Sequence, residues 1–127
     1  MVMSRTGFLR YWTLFLLGLF LSGSLQAKEV AQMDTVALSQ LPPEVHQTIK
    51  LVKQGGPFPY SKDGIVFGNY EKNLPVRARG YYHEYTIRTP GIRGRGARRL
   101  IVGGEPSLRA EYYYTADHYM TFRRIRE

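Results

Sequence analysis

The chain has no cysteine, and among its 127 residues are only three histidines, one tryptophan and 10 acidic side chains against 18 basic ones. The missing thiols exclude disulfide staples, cysteine nucleophiles and thiolate metal sites at once, so stability has to come from packing. His46, His83 and His118 are scattered, without carboxylates at ligand spacing, which argues against a zinc centre. No metal or other cofactor is expected. Nor does any apolar run approach the roughly 20 residues of a membrane-spanning helix; the longest, Tyr11 to Leu21, is about half that.

That run has a different reading. Arg5 and Arg10 precede it, Ser22-Gly23-Ser24 follows it, and polar Lys28-Glu29 comes next, the layout of a secretory signal peptide over residues 1–27. Export without a stable membrane anchor is the expectation. Residues 28–127 are then one domain's worth of chain. Setting Arg5 and Arg10 aside leaves 16 basic residues against 10 acidic ones, a net charge of +6 that should attract polyanions.

Beyond a mixed arm, with a short strand expected around Thr35 to Leu38, Leu41-Pro42-Pro43-Glu44 predicts a helix start. Proline at the first helical position loses no needed hydrogen bond, and an acid in the first turn complements the dipole. Val45, Ile49 and Val52 form one apolar stripe, Lys50 and Lys53 sit near the end, and Gly55-Gly56 stops the helix, giving the range 43–54. Strands are predicted at Ile65–Phe67, Ala78–Arg88, Arg98–Val102, Ala110–Thr115 and His118–Ile125, each rich in Tyr, Ile, Val, Thr or Phe and bounded by Gly, Pro or Asp. Short connections favour antiparallel hairpins, with one face left for the helix. The class is α+β.

The chemistry concentrates between Gly80 and Arg99. There Glu84 is a single carboxylate among Arg77, Arg79, Arg88, Arg93, Arg95, Arg98 and Arg99. Alternation puts Tyr82, Glu84 and Thr86 on one side of the strand, expected to be open, and Tyr81, His83, Tyr85 and Ile87 on the side expected to face the core. A carboxylate held among cations stays ionised and can accept a proton. Arg93-Gly94-Arg95-Gly96 brings two guanidinium forks onto a loop whose glycines let backbone approach a phosphate. Arg98 and Arg99 are adjacent, so only one should share the site with Glu84. His118, at the start of the last predicted strand, can protonate a leaving group near neutral pH. Composition leaves two classes open, an enzyme acting on an anionic substrate and a non-catalytic basic module for nucleic acid or another polyanion. The second has no use for a carboxylate at the centre of its positive patch.

Taken together, Leu41-Pro42-Pro43-Glu44, Gly56-Pro57-Phe58-Pro59-Tyr60, Asp63-Gly64-Ile65-Val66-Phe67, Tyr81-Tyr82-His83-Glu84-Tyr85-Thr86, Thr89-Pro90-Gly91, Arg98-Arg99 and Asp117-His118-Tyr119 resemble, in order and spacing, the small secreted guanyl-specific microbial ribonucleases of the barnase-like family. The resemblance implies one main helix on a twisted antiparallel sheet and cofactor-free cleavage of single-stranded RNA after guanosine, through a 2′,3′-cyclic phosphate to a 3′-phosphate. It implies Glu84 as general base, His118 as general acid, and Arg95 and Arg99 as phosphate-binding residues. It implies a guanine site made by Phe67, Gly68, Asn69, Tyr70 and Glu71, with Tyr119 stacking on the base. Gly68 and Tyr70 stand where relatives often carry polar side chains, which loosens the expected guanine selectivity. A monomer is expected, and an acidic barstar-like inhibitor protein is the partner that the resemblance suggests.

Overall fold

The computed structural model describes residues 33–127; the expected signal peptide, residues 1–27, lies outside them. The described elements are β1 (Thr35–Ala37), a short 3-10 turn (Leu38–Gln40), α1 (Pro43–Gln54), β2 (Ile65–Val66), β3 (Tyr82–Thr86), β4 (Arg99–Glu105), β5 (Arg109–Thr115) and β6 (Arg123–Arg126). They form one six-stranded sheet in the order β1-β6-β5-β4-β3-β2, with α1 packed across it. Every pair is antiparallel except β1 with β6, which run parallel. No described helix is long and apolar enough to cross a membrane.

The helix obeys its local signals closely. Pro43 occupies the first turn with Glu44, and Gly55 ends the helix in the left-handed conformation (φ 81°), its amide donating back to Leu51 and Val52. Val45, Ile49 and Val52 are buried against Ile87, Leu100, Val102, Tyr112, Tyr114 and Ile125, the main core.

The strands differ from expectation where loop geometry overrides alternation. β3 begins four residues later than predicted, because Gly80 (φ 94°) turns the chain and the Tyr81 amide closes that turn on the Ala78 carbonyl at 3.1 Å. β4 continues past Val102 through Gly103 and Gly104, which pair with Glu111 and Ala110. The last strand does not start at His118; residues 116–121 form a turn, with His118 and Tyr119 at positive φ, and β6 covers only Arg123–Arg126.

The expectation of one open face also needs correction. Tyr85 and Ile87 do face the helix side, but Tyr82, Glu84 and Thr86 are buried as well. On that second face Leu74, Tyr82, Ile101 and Tyr113 make a smaller core, joined by Tyr81, Phe67, Tyr119 and Phe122 from the loops. Long loops fold back over the sheet, which strand periodicity alone cannot reveal. The loop that follows β2 is pinned there by the Tyr82 hydroxyl, which donates to the Pro75 carbonyl at 2.6 Å.

Gly103 makes this second core possible. A Cβ at that position would lie 2.8 Å from the Tyr81 ring and 2.9 Å from the Tyr82 ring. Tyr82 is 3% exposed and anchored through its hydroxyl, so it has nowhere to retreat. Gly103→Ala should lower stability by about 1–3 kcal/mol, the usual cost of overpacking, read as a shift in the urea midpoint.

Candidate active site

Strand register assembles the site. On the second face, Thr86 lies opposite Arg99, which lies opposite Thr115; the next row is Glu84, Ile101 and Tyr113. The carboxylate and one arginine therefore share a face because β3 and β4 are antiparallel in this register, and Arg99, 3% exposed, is the member of the Arg98-Arg99 pair that joins Glu84 there.

Glu84 is 8% exposed and is met from two sides. The Tyr119 hydroxyl donates to its Oε2 at 2.8 Å, and Arg95 Nη2 stands 3.8 Å from its Oε1. Arg95 is held by its Nε, which donates to the Thr86 hydroxyl at 3.0 Å, while its buried Nη2 makes no hydrogen bond among the described residues. A buried guanidinium nitrogen without an acceptor is costly to leave so, and it points to an anion in the working site. Arg99 gathers the loop beneath it, its Nη1 donating to the carbonyls of Gly96 (2.9 Å) and Arg98 (2.8 Å) and its Nε to the Tyr119 hydroxyl (3.2 Å). Arg93 is exposed on that loop, so of the Arg93-Arg95 pair only Arg95 reaches the carboxylate.

Tyr119 thus takes a hydrogen bond from Arg99 and passes one to Glu84. Burial, reinforced by the neighbouring Glu84, pushes its phenol up to about 12 against the opposing pull of Arg99. The hydroxyl keeps its proton throughout the neutral range and acts as a fixed donor. His118, exposed beside it with ring centroids 4.7 Å apart, is set in place by its own amide, which donates to the Ala97 carbonyl at 3.0 Å.

A cavity of about 350 Å³ opens from this cluster, lined by Phe67, Gly68, Asn69, Tyr70 and Glu71 together with Glu84, Tyr119 and Phe122. Phe67 stacks on Tyr119 at 5.4 Å and 22°. Asn69, in the left-handed conformation (φ 52°), spends its side chain on the loop: Nδ2 donates to the Leu74 carbonyl at 2.9 Å and Oδ1 accepts from the Leu74 amide at 3.1 Å. Only its backbone is left to face a ligand. Glu71 is exposed, and among the described residues its carboxylate accepts only from the Asn73 amide group, at 3.4 Å. A larger cavity, about 520 Å³, lies on the helix side beside Lys53, His83 and Tyr85, but none of the residues just described lines it. Among the described residues, no three His, Asp or Glu side chains come together in a way that could hold a metal ion.

The ribonuclease family model matches residues 25–126. This chain belongs to the guanyl-specific microbial ribonuclease family. It is 56% identical over 91 residues to guanyl-specific ribonuclease Sa of Kitasatospora aureofaciens, covering 72% of this chain and 92% of that protein. To ribonuclease Sa3 of the same organism it is 53% identical over 96 residues, 76% of this chain and 66% of the relative. Ribonuclease St of Saccharopolyspora erythraea is 50% identical over 95 residues, 75% and 90% of the two chains. Among solved structures, ribonuclease Sa2 in complex with mononucleotides superposes with a TM-score of 0.70 at 42% identity, covering 75% of this chain and 95% of that one. Ribonuclease Sa2 with guanosine-2′-cyclophosphate gives 0.68 at 42% identity, over 74% and 96%.

Several residues of the cluster around Glu84 and Tyr119 were not picked out from sequence. Thr86 could have been, since alternation places it beside Glu84. Phe122 and the Thr115–Asp117–Thr121 network carry no local signal. Asp117 accepts from the Thr115 hydroxyl at 2.8 Å and from the Thr121 amide at 2.9 Å, and the Thr121 hydroxyl donates to its other oxygen, tying together the turn that presents His118 and Tyr119. These bonds, Thr121's first and then Thr115's, hold the Asp117 carboxyl down to about 2. Folding therefore favours the ionised form, and the resulting stability is complete above the ordinary value of 3.8 and lost as pH falls towards about 2. Asp117→Ala should destabilise the protein at neutral pH, with its deficit against the parent shrinking between pH values of about 4 and about 2. Urea midpoints across that range would show it; a deficit independent of pH would contradict the linkage.

Proposed function

We propose that this protein is an endoribonuclease that cuts single-stranded RNA on the 3′ side of guanosine, with Glu84 as general base and His118 as general acid. One observation carries the assignment: a buried carboxylate, flanked by Tyr119 and Arg95, forms the edge of an aromatic-walled cavity large enough for a purine. Tyr119 and Arg95 fix the direction of the carboxylate, so that Glu84 can take the proton of the ribose 2′-hydroxyl. The 2′-oxygen then attacks phosphorus, the bond from phosphorus to the 5′-oxygen breaks, and His118 returns a proton to that departing oxygen. The product is a 2′,3′-cyclic phosphate. In the second step His118 activates water, Glu84 protonates the 2′-oxygen as it leaves, and a 3′-phosphate results.

Arg95 and Arg99 serve the phosphate. Arg95 brings its unpartnered Nη2, and Arg99 adds a positive charge anchored by backbone carbonyls, both pre-set for the charge that builds on the non-bridging oxygens. Glu71 accepts hydrogen bonds from the N1 and N2 groups of guanine, the backbone from Phe67 to Tyr70 borders the base, and Tyr119 with Phe67 stacks on it. DNA lacks the 2′-hydroxyl, so it binds without being cut.

The same reading extends to the protein's setting. Residues 1–27 act as a signal peptide, residues 28–127 as one exported monomeric ribonuclease domain. The basic face of that domain suits an acidic barstar-like inhibitor as partner.

Glu84→Gln and His118→Gln should each slow cleavage of a guanosine-containing dinucleotide by at least the roughly 10²-fold typical of a lost acid or base, with the cyclic intermediate followed by chromatography. Near-parental rates in both would instead favour a basic module that binds polyanions without turnover.

A further inference from the structure

The loop that borders the guanine cavity has a second cavity on its other side. It measures about 230 Å³ and is lined by Phe67, Tyr70, Lys72, Val76, Arg77 and Arg79, among others, with no acidic side chain in its wall. Tyr70 borders both cavities. It is 80% exposed, and a Cβ on Gly68 would lie 2.5 Å from its ring, so the ring rests directly on the loop backbone. Arg79 Nη1 donates to its hydroxyl at 2.7 Å, with the guanidinium 5.9 Å from the ring centroid. Val76, 69% exposed, adds a second apolar surface. A large exposed aromatic ring packed on the loop backbone, beside three cations and an exposed aliphatic, combines a stacking platform with a phosphate grip.

We propose that this second cavity is a nucleotide subsite that takes the residue on the 5′ side of the guanosine, stacking its base on Tyr70 and holding its phosphate with Arg79 and Lys72. The inference rests on the placement of guanine given above. Direction follows from the arginines: Arg95 and Arg99 claim the 3′-phosphate of the guanosine and neither lines the second cavity, which leaves that cavity to the strand joined through the guanosine's own 5′-oxygen. Arg77 contributes less, since its guanidinium lies over the Tyr81 ring at 5.4 Å and 4.0 Å from Glu111. The enzyme would then read a dinucleotide frame, guanosine for chemistry and a preceding base for affinity.

The test separates binding from turnover by using oligonucleotides with 2′-O-methylguanosine, which cannot be cut. The parent should bind a 5′-extended trinucleotide about ten-fold more tightly than the dinucleotide that begins with guanosine, the effect expected of one stacked base with its phosphate contact. Lys72→Gln combined with Arg79→Gln should reduce that ratio to less than about two-fold, through a loss of trinucleotide affinity, and flatten the salt dependence for the trinucleotide. Arg109→Gln with Arg126→Gln removes the same charge from other exposed positions and should keep the ten-fold ratio. The subsite is overturned if the first pair leaves the ratio intact, if both pairs reduce it equally, or if only 3′ extension tightens binding. A parent that fails to cleave any RNA would sink the ribonuclease assignment instead, because the affinity ratio is measured without turnover.

Discussion

A carboxylate on a buried strand face survives only if something donates to it, and in this protein the donor is the Tyr119 hydroxyl, 2.8 Å from Glu84. Much of the site hangs on that bond. Tyr119 is itself held by Arg99, and Arg99 holds the loop that delivers Arg95 back to the other carboxylate oxygen. The ring of contacts closes on itself, so each side chain restrains the next and little reorganisation is left for the moment of reaction. Preorganisation of this kind is what makes fixed charges effective in a partly dry site.

The fold supplies that ring by spending its sheet on two cores. The helix covers one face with aliphatic and tyrosine side chains in the ordinary way of an α+β domain. On the other face a smaller core of Leu74, Tyr82, Ile101 and Tyr113 anchors the loops, and the polar row of Thr86, Arg99 and Thr115 lies beside it on the same face. Small residues and unusual backbone at the joins serve this arrangement. Gly103 makes room for two tyrosine rings, and Asn69 gives up its side chain to keep the loop that follows β2 in shape. Among the described residues four that are not glycine adopt positive φ, Asn69, Lys72, His118 and Tyr119, and all four belong to the two loops that border the cavity beside Glu84. Strained backbone gathered at one place is the usual mark of a site shaped by more than local preference.

Basic charge acts at longer range than any of these contacts. Glu111, within 4.0 Å of both Arg77 and Arg124, tempers part of it. Arg93, Arg98, Arg123 and Arg126 make no ion pair among the described residues, which leaves a field to draw RNA toward a cavity whose own selectivity depends on a few hydrogen bonds.

Helix α1 was legible to the residue because its signals are local: prolines and an acid at the start, a single apolar stripe, two glycines at the stop. The presence of Glu84 among arginines was equally plain, as was the separation of Arg98 from Arg99 by alternation. The burial of Glu84 was not, because what covers it comes from residues 35 positions away through Tyr119 and from a loop whose path depends on Tyr82 meeting Pro75. The same holds for His118, read as part of a strand when the side chains of Asp117, Thr115 and Thr121 fold it into a turn. The sequence by itself determined the helix, the class of the sheet, the positive field and the residue types that can move a proton. Tertiary structure decided which of them meet, since hydrogen bonds between distant side chains form only after the strands have found their register, and no local pattern records that geometry.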